Sequence, residues 1–441
     1  VRDDVVGRDL NKYMNILFVA PYPPSRIRSR SYGFIQKLRN RHNVTILSQV
    51  MTQQEWKDIE NLRKQEYEVI AITESKQQSI VRSGIALLSL YPIQAAYARS
   101  SRFLQVAQRL CAQRDFDIVH VEHLRGIASM EPLLKERPLV WDAVDCLSSL
   151  WKQIAVVGKN EVIRTFSRME CARTEKYEAR LLTSQASISI ISEVDRDAML
   201  ALLPKFCPNA ISKEATRLIE VLPNGVDTDY FCPTEERYRP YNIVFSGKMS
   251  YHANVAAVHY LYRQIMPLIW KERPTATLTI VGSKPPKSIQ DLAVDARVEV
   301  TGYVDDMRPY IRRAHITMSP MVYSVGLQNK VLEAMALGTP SVISFQSSRA
   351  MSAEPDYDML VAKSADEFAQ KALYLMDDTA LRTAISRQGR LYVEKHHNWQ
   401  MITERLVAMY QHSEQKYAQN SMLTNSEDLS AYSSKNNELF F

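Results

Sequence analysis

Short apolar runs rich in Val and Ile alternate with longer segments of helical period from residue 15 onward. That alternation confines the chain to parallel sheets covered by crossover helices. The expected strands of the first half are 15–21 (NILFVAP), 44–48, 68–73, 117–123 (DIVHVEH), 139–144 (LVWDAV) and 186–192, with helical segments near 86–113 and 160–183. The rhythm restarts at 242–247 (NIVFSG) and continues through 277–283, 297–303, 315–321, 341–345 and 359–362. Between the halves, Pro204, Pro208, Pro223, Pro233 and Pro240 punctuate a stretch of weak periodicity near 205–240. The class is α/β, with two doubly wound domains expected at 14–215 and 240–398.

Residues 364–418 read as consecutive helices with no strand between them. The amphipathic MITERLVAMYQ is expected within a terminal helix, 399–412, that returns to the first domain. From about residue 413 the composition turns to Gln, Asn, Ser and Tyr, too little apolar surface to offset ordering entropy, so 413–441 is expected as a disordered tail. The polar residues before Met14 are expected to be unstructured, with Met14 opening the folded chain.

Composition narrows the partners. No apolar run approaches the roughly 20 residues of a membrane span, and the N-terminus lacks a secretory signal, so a cytoplasmic protein is the expectation. The five cysteines include no C-x-x-C pair, which argues against a disulfide framework or a structural metal. The net charge of +6 originates in the first half, where Arg26, Arg28, Arg30, Lys37, Arg39 and Arg41 follow one another with no acid between them. Such a run is either a solvated helix face or an anion-binding or membrane-facing edge. No nucleic-acid motif accompanies it, so no nucleic-acid partner is expected.

In open parallel sheets, ligands collect at the carboxyl ends of strands, where helix N-termini present unpaired N–H groups. The most informative of these loops is HITMSPMVYSVGLQNKVLEAMALGTPSVISF, which reads strand, loop, helix, turn, strand. Gly326 would permit close backbone approach, and the amides near Leu327 and Gln328 would face an anion. Lys330 adds a point charge, and Glu333 lies one turn further on the same face, able to accept hydrogen bonds from a ribose diol. An ordinary solvated lysine and a glutamate favoured by the helix dipole fit the same spacing. In the first half, Glu122, His123 and Arg125 cluster after a strand, with Asp142 and Asp145 after the next. Either aspartate could line the same cleft or cap a helix.

The tracts SVGLQNKVLEAMALGTPSV, FSGKMSYHANVAAVHYL, TGYVDDMRPYIRRAHITMSPM, VLPNGVDTDYF and PYPPSRIRSRSYGFIQKLRNRHNVTIL resemble family 4 of the retaining glycosyltransferases, over roughly residues 14–412. Within that family the chain looks most like the sugar transferases of exopolysaccharide and exosortase gene clusters. The resemblance implies a GT-B fold of two Rossmann-like domains and transfer of a sugar, with retention, from a nucleoside diphosphate sugar to a glycan or polyprenyl-linked acceptor. It implies no metal and a place on the inner membrane face. Glu333 matches the second glutamate of the family's paired-glutamate motif, which holds the donor ribose, while the first is replaced by Val325. Lys248 and Lys330 are implied at the diphosphate, Gly302 and Tyr303 beside the base, and His123, or else His120, as the active-site histidine. Arg26, Arg28 and Arg30 replace the usual glycine-rich loop and are implied contacts for an acceptor or donor phosphate. A nucleotide-sugar epimerase or hydrolase, and a non-catalytic nucleotide-sugar binder, are the alternatives on this scaffold.

Overall fold

The computed structural model describes residues 12–158, 160–208, 219–234, 238–323 and 327–437, with the side chains of the last helix described to residue 419. The segment expected to be unstructured before Met14 lies almost wholly outside the described residues. The first sheet contains β1 (Asn15–Ala20), β2 (Asn43–Val50), β3 (Glu68–Thr73), β4 (Ile118–Glu122), β5 (Leu139–Val144), β6 (Ser187–Ile190) and β7 (Ile219–Val221), in the order β3-β2-β1-β4-β5-β6-β7. The second contains β8 (Asn242–Ser246), β9 (Thr277–Val281), β10 (Val298–Gly302), β11 (Ile316–Ser319), β12 (Ser341–Ser344) and β13 (Leu360–Ala362), in the order β10-β9-β8-β11-β12-β13. Every pairing within the two sheets is parallel. Helices on both faces bury the central strands completely, as at Ile16, Leu17, Phe18 and Val19, which is why these strands read as continuous apolar runs. Two Rossmann-like sheets of this kind make the GT-B architecture. β7 is an addition: three residues from the proline-rich stretch pair with β6 in the first sheet.

The helices that shape the molecule's working parts are α1 (Ser29–Leu38), α2 (Lys76–Ala86), α3 (His123–Met130), α4 (Leu147–Val157), α5 (Glu161–Leu182), α6 (His252–Tyr260), α7 (Asn329–Ala336), α8 (Thr379–His396) and α9 (Trp399–Asn437). α9 lies against the first domain, where Ile402, Leu406, Val407 and Tyr410 share a core with Phe18, Phe34 and Ile46. The Tyr410 hydroxyl is hydrogen-bonded to His120 Nδ1 at 2.9 Å. The polar segment from 413, expected as a disordered tail, is helical as far as Asn437. It contains neither Gly nor Pro, and its first turns are fastened: Ser413 Oγ donates to the Leu139 carbonyl, Lys12 pairs with Glu414, and Tyr417 donates to the Glu136 carbonyl. These anchors supply what composition alone left out.

The start of α9 is set by Trp399, whose indole is wedged between Gly33 of α1 and Gly225 and meets Phe34 edge-on at 5.2 Å. A Cβ at either glycine would overlap the ring. Gly33→Ala is expected to destabilise the fold by about 1–3 kcal/mol, the usual cost of overpacking. A denaturant midpoint unchanged from the parent would show that α1 can shift away from Trp399 freely.

Candidate functional site

The carboxyl ends of the two sheets face one another across a cleft, and each carries a distinct set of groups. On the second domain, β8 is followed by Gly247, whose φ of +148° lies in a region side chains disfavour. A Cβ there would sit 2.8 Å from Asn254 Nδ2 and 3.5 Å from Lys330 Nζ, so the glycine makes room for both. Lys330, in the first turn of α7, donates from Nζ to Asn254 Oδ1 at 2.6 Å and stands 4.2 Å over the Phe245 ring. Asn254 in turn donates to the Lys248 carbonyl at 3.0 Å. The loops carrying Lys248 and Lys330 are thereby tied together. The Lys248 side chain is exposed and makes no ion pair among the described residues. Glu333 lies one turn along α7 and is half-buried, and its carboxylate accepts no hydrogen bond among the described residues.

Burial lowers the Lys330 ammonium to about 7, opposed by the nearby Glu333, and raises the Glu333 carboxyl to about 7, opposed by Lys330. The neighbours of each group therefore compensate its charge only in part, and a polyanion or polyol would add to that compensation. Gly326 and Val325 lie outside the described residues. Leu327 is described, and its side chain is buried with Val226, Val331 and Ile191 rather than facing the cleft. α7 begins just after it, so the amides of its first turn have no carbonyl further back in the helix. Tyr303 is exposed beyond Gly302, away from any packed core.

On the first domain, His123 follows β4 with a φ of +63°, and Val144 ends β5 with a φ of +67°. Two non-glycine residues in left-handed conformation at adjacent strand ends mark a constrained edge. The His123 Nδ1 accepts from the Arg125 amide at 3.1 Å, which leaves the proton on Nε2. Burial keeps the ring neutral, lowering it to about 4. His120, the other candidate histidine, is in the core, stacked on Phe18 at 4.3 Å. Asp145 is half-buried, and burial followed by the charge of Asp195 raises it to about 7. Its charge reaches Tyr251 of the opposite domain, which burial and Asp145 together raise to about 12.

The arginines expected at a phosphate are placed differently. Arg30 is 5 % exposed and forms a two-pronged pair with Asp142 at 2.6 and 2.7 Å, while its Nη1 donates to the Leu222 carbonyl and Asn224 Oδ1, both at 2.9 Å. Asp142 is likewise no cleft carboxylate: burial would raise it, but Arg30 and the Ser189 hydroxyl hold it below the usual range. Arg28 pairs with Glu55 at 2.8 Å and donates to the Pro23 carbonyl. The guanidinium groups of Arg28 and Arg30 are thus internal fasteners, and only Arg26 is exposed, stacked 4.0 Å over Tyr230.

Arg30 is part of an interdomain knot with no motif to announce it. Asn224 donates to Asn329 Oδ1 at 2.8 Å, and Asn329 donates to Ser29 Oγ at 2.7 Å, so the first residue of α7 is bonded directly to the first residue of α1. His397 Nδ1 is hydrogen-bonded to the Asn224 carbonyl at 2.6 Å.

Residues 240–378 match the model of the family described as Glycosyl transferases group 1. The match lies within the second domain. An MMP alpha-(1->4)-mannosyltransferase of Mycolicibacterium hassiacum is 24% identical over 326 residues, 70% of this chain and 74% of the relative. A GDP-mannose-dependent monoacylated alpha-(1-6)-phosphatidylinositol monomannoside mannosyltransferase of Corynebacterium glutamicum is 29% identical over 158 residues; the match spans 33% of this chain and 42% of that relative's length. Among solved structures, Anabaena HepE in complex with UDP-glucose superposes with a TM-score of 0.62 at 14% identity, covering 91% of this chain and 100% of that one. Sucrose-phosphate synthase of Thermosynechococcus elongatus gives 0.60 at 13% identity, covering 90% and 98%.

Proposed function

We propose that the chain is a retaining glycosyltransferase that moves a hexose from a nucleoside diphosphate sugar to a hydroxyl of a glycan or lipid-linked acceptor in the synthesis of a cell-surface polysaccharide. The family match of the second domain and the mannosyltransferase relatives support transfer from a nucleotide sugar. The observation that carries the reading is the pair at the start of α7, a desolvated Lys330 and an unbonded Glu333 one turn apart at the carboxyl edge of the second sheet.

In this reading the α7 amides, Lys330 and Lys248 hold the diphosphate, and Glu333 receives two hydroxyls of the ribose. The C1–O bond to the β-phosphate breaks while the acceptor oxygen bonds C1 on the same face, and the acceptor proton passes to the leaving phosphate oxygen. Negative charge then grows on the diphosphate, where fixed cations and amides stabilise it without a metal ion. His123, neutral and with Nε2–H free to donate, binds a hydroxyl of the transferred sugar, and Arg26 is the arginine left for an acceptor phosphate. Peripheral attachment to a membrane belongs to the same reading; among the described residues no helix is long and apolar enough to cross one.

A thermal-shift panel of UDP, GDP, ADP and their sugars tests the donor site, because a ligand of the folded state raises the melting temperature by mass action. One base series should stand out in the parent and weaken, without being lost, in Lys330→Ala; a flat panel in the parent removes the reading. Lys330 also makes the binding pH-linked. Lowered to about 7 when empty, it is mostly neutral at pH 8, and a bound diphosphate restores its charge. Calorimetry at pH 8 in buffers of different ionisation enthalpy should show uptake of about one proton per nucleotide bound. Lys330→Met should abolish the uptake, and equal heats in all buffers for the parent would exclude Lys330 from the diphosphate.

A further inference from the structure

Nearly half of the exposed large apolar side chains among the described residues fall in two short segments of the first domain, 80–90 and 156–166. The first comprises Ile80, Val81 and Ile85 of α2 and the turn after it, where Leu88 is 93 % exposed. The second is the tip between α4 and α5, with Val156, Val162 at 78 % exposure, and Phe166. The two segments are joined: Arg173 of α5 donates to the Leu87 carbonyl at 2.9 Å, and Glu170 accepts from the Ile93 amide at 2.9 Å. Arg173 lies two helical turns beyond Phe166, a rise of about 10 Å. The two bonds hold the segments beside each other, so their exposed apolar side chains belong to neighbouring parts of one domain, and clustered exposure of this kind marks an interaction site.

Its charge selects the partner. Between Glu74 and Asp115 the chain carries six cations and no acid; Arg82 is paired with Glu74 and Arg114 with Glu68, which leaves Lys76, Arg99, Arg102 and Arg109 as the excess. Lys76 stands one turn before Ile80 on α2, and Lys152 one turn before Val156 on α4, both exposed and without an ion pair among the described residues. Glu161, the acid nearest the tip, is paired with both Arg164 and Arg168. Exposed apolar side chains flanked by unpaired lysines, in a segment with an excess of positive charge, match a bilayer surface of anionic phospholipid, whose headgroups attract the cations while the side chains enter the acyl boundary.

We infer that the first domain docks on anionic membrane through the α2 turn and the α4–α5 tip. The cationic run from Arg26, for which a membrane-facing edge was one of the open readings, is not this surface, since Arg28 and Arg30 are held internally. α2 and α4 follow β3 and β5 and so leave from the carboxyl edge of the sheet, the edge that carries His123 and Asp145. A docked domain therefore presents the acceptor side of the cleft to the lipid phase. The inference deepens the proposed function by giving the lipid-linked acceptor its route, but its test needs no turnover.

The full chain is sedimented with vesicles of phosphatidylcholine alone and of phosphatidylcholine with phosphatidylglycerol, at low and high salt. Binding to the anionic vesicles only, weakening with salt, is expected. Ile85→Asp/Leu88→Asp should lower it tenfold or more while keeping the parent's melting temperature and its nucleotide-induced shift. No binding by the parent to anionic vesicles, or equal binding by the double variant, overturns the inference. So does a parent dimer on gel filtration that the double variant dissolves, because a second copy would then cover the patch. The nucleotide shift is read separately, so a failed donor site and a failed membrane surface are told apart.

Discussion

Arg30→Met is expected to remove about 3–5 kcal/mol of stability, because it leaves Asp142 ionised in the core with only the Ser189 hydroxyl to meet it. That is a large part of the 5–15 kcal/mol a folded chain of this kind usually holds. The loss also has a pH signature. Arg30 holds Asp142 below the usual carboxylate range, so the pair's contribution is present at neutral pH and declines as the pH falls through the folded-state value. In Arg30→Met that decline should disappear, and Arg30→Met/Asp142→Leu should recover most of the lost stability, since two apolar side chains replace a buried pair at little net cost. Urea unfolding at pH 7 and pH 4 reads the parent and both variants. A loss below about 1 kcal/mol would mean that water reaches Asp142 when the arginine is gone.

Glu333→Ala carries the largest expected effect on activity. Two charge-assisted hydrogen bonds to a ribose contribute about 3 kcal/mol or more together, so nucleotide affinity should fall roughly a hundredfold or more. The fold should not suffer, because the Glu333 carboxylate accepts no hydrogen bond among the described residues and burial penalises its charge. The melting temperature without ligand should stay level or rise, while the UDP or GDP shift disappears. Glu333→Gln should retain part of the affinity through one amide oxygen. Nucleotide binding in Glu333→Ala equal to that of the parent would exclude a ribose role.

The architecture was legible because parallel strands covered on both faces leave an unmistakable trace, as in NILFVA and LVWDAV. β7 left none, since three residues are too few to show a pattern. The helical run beyond residue 413 was hidden by a composition that is polar yet compatible with helix, and was decided by anchors to Leu139 and Glu136 that no local reading contains. The placement of Lys330 and Glu333 one turn apart on a helix was legible because it follows from a strand–loop–helix pattern, whereas their roles rest on the proposed function. Arg30 was misjudged for a physical reason: a run of arginines reveals charge but not burial, and the carboxylate that claims Arg30 comes from β5, more than a hundred residues later in the chain. Asn224, Asn329 and His397 belong to three separate segments, and nothing in any one of them signals the other two.

The chain passes between the domains twice, once near Val226 and once at Asn398, and the two passages are bonded side by side through the Val226 amide and the His397 carbonyl at 2.8 Å. Two laced straps resist shear and twist far more than bending, so opening the molecule becomes a swing about a single axis near Trp399. Groups close to that pivot, such as the Gly33 and Gly225 contacts, travel little. The start of α7 belongs with them, since Asn329, the residue before Lys330, is bonded to both Asn224 and Ser29 beside the same lacing, and a rotation that opened the molecule would first have to break those bonds.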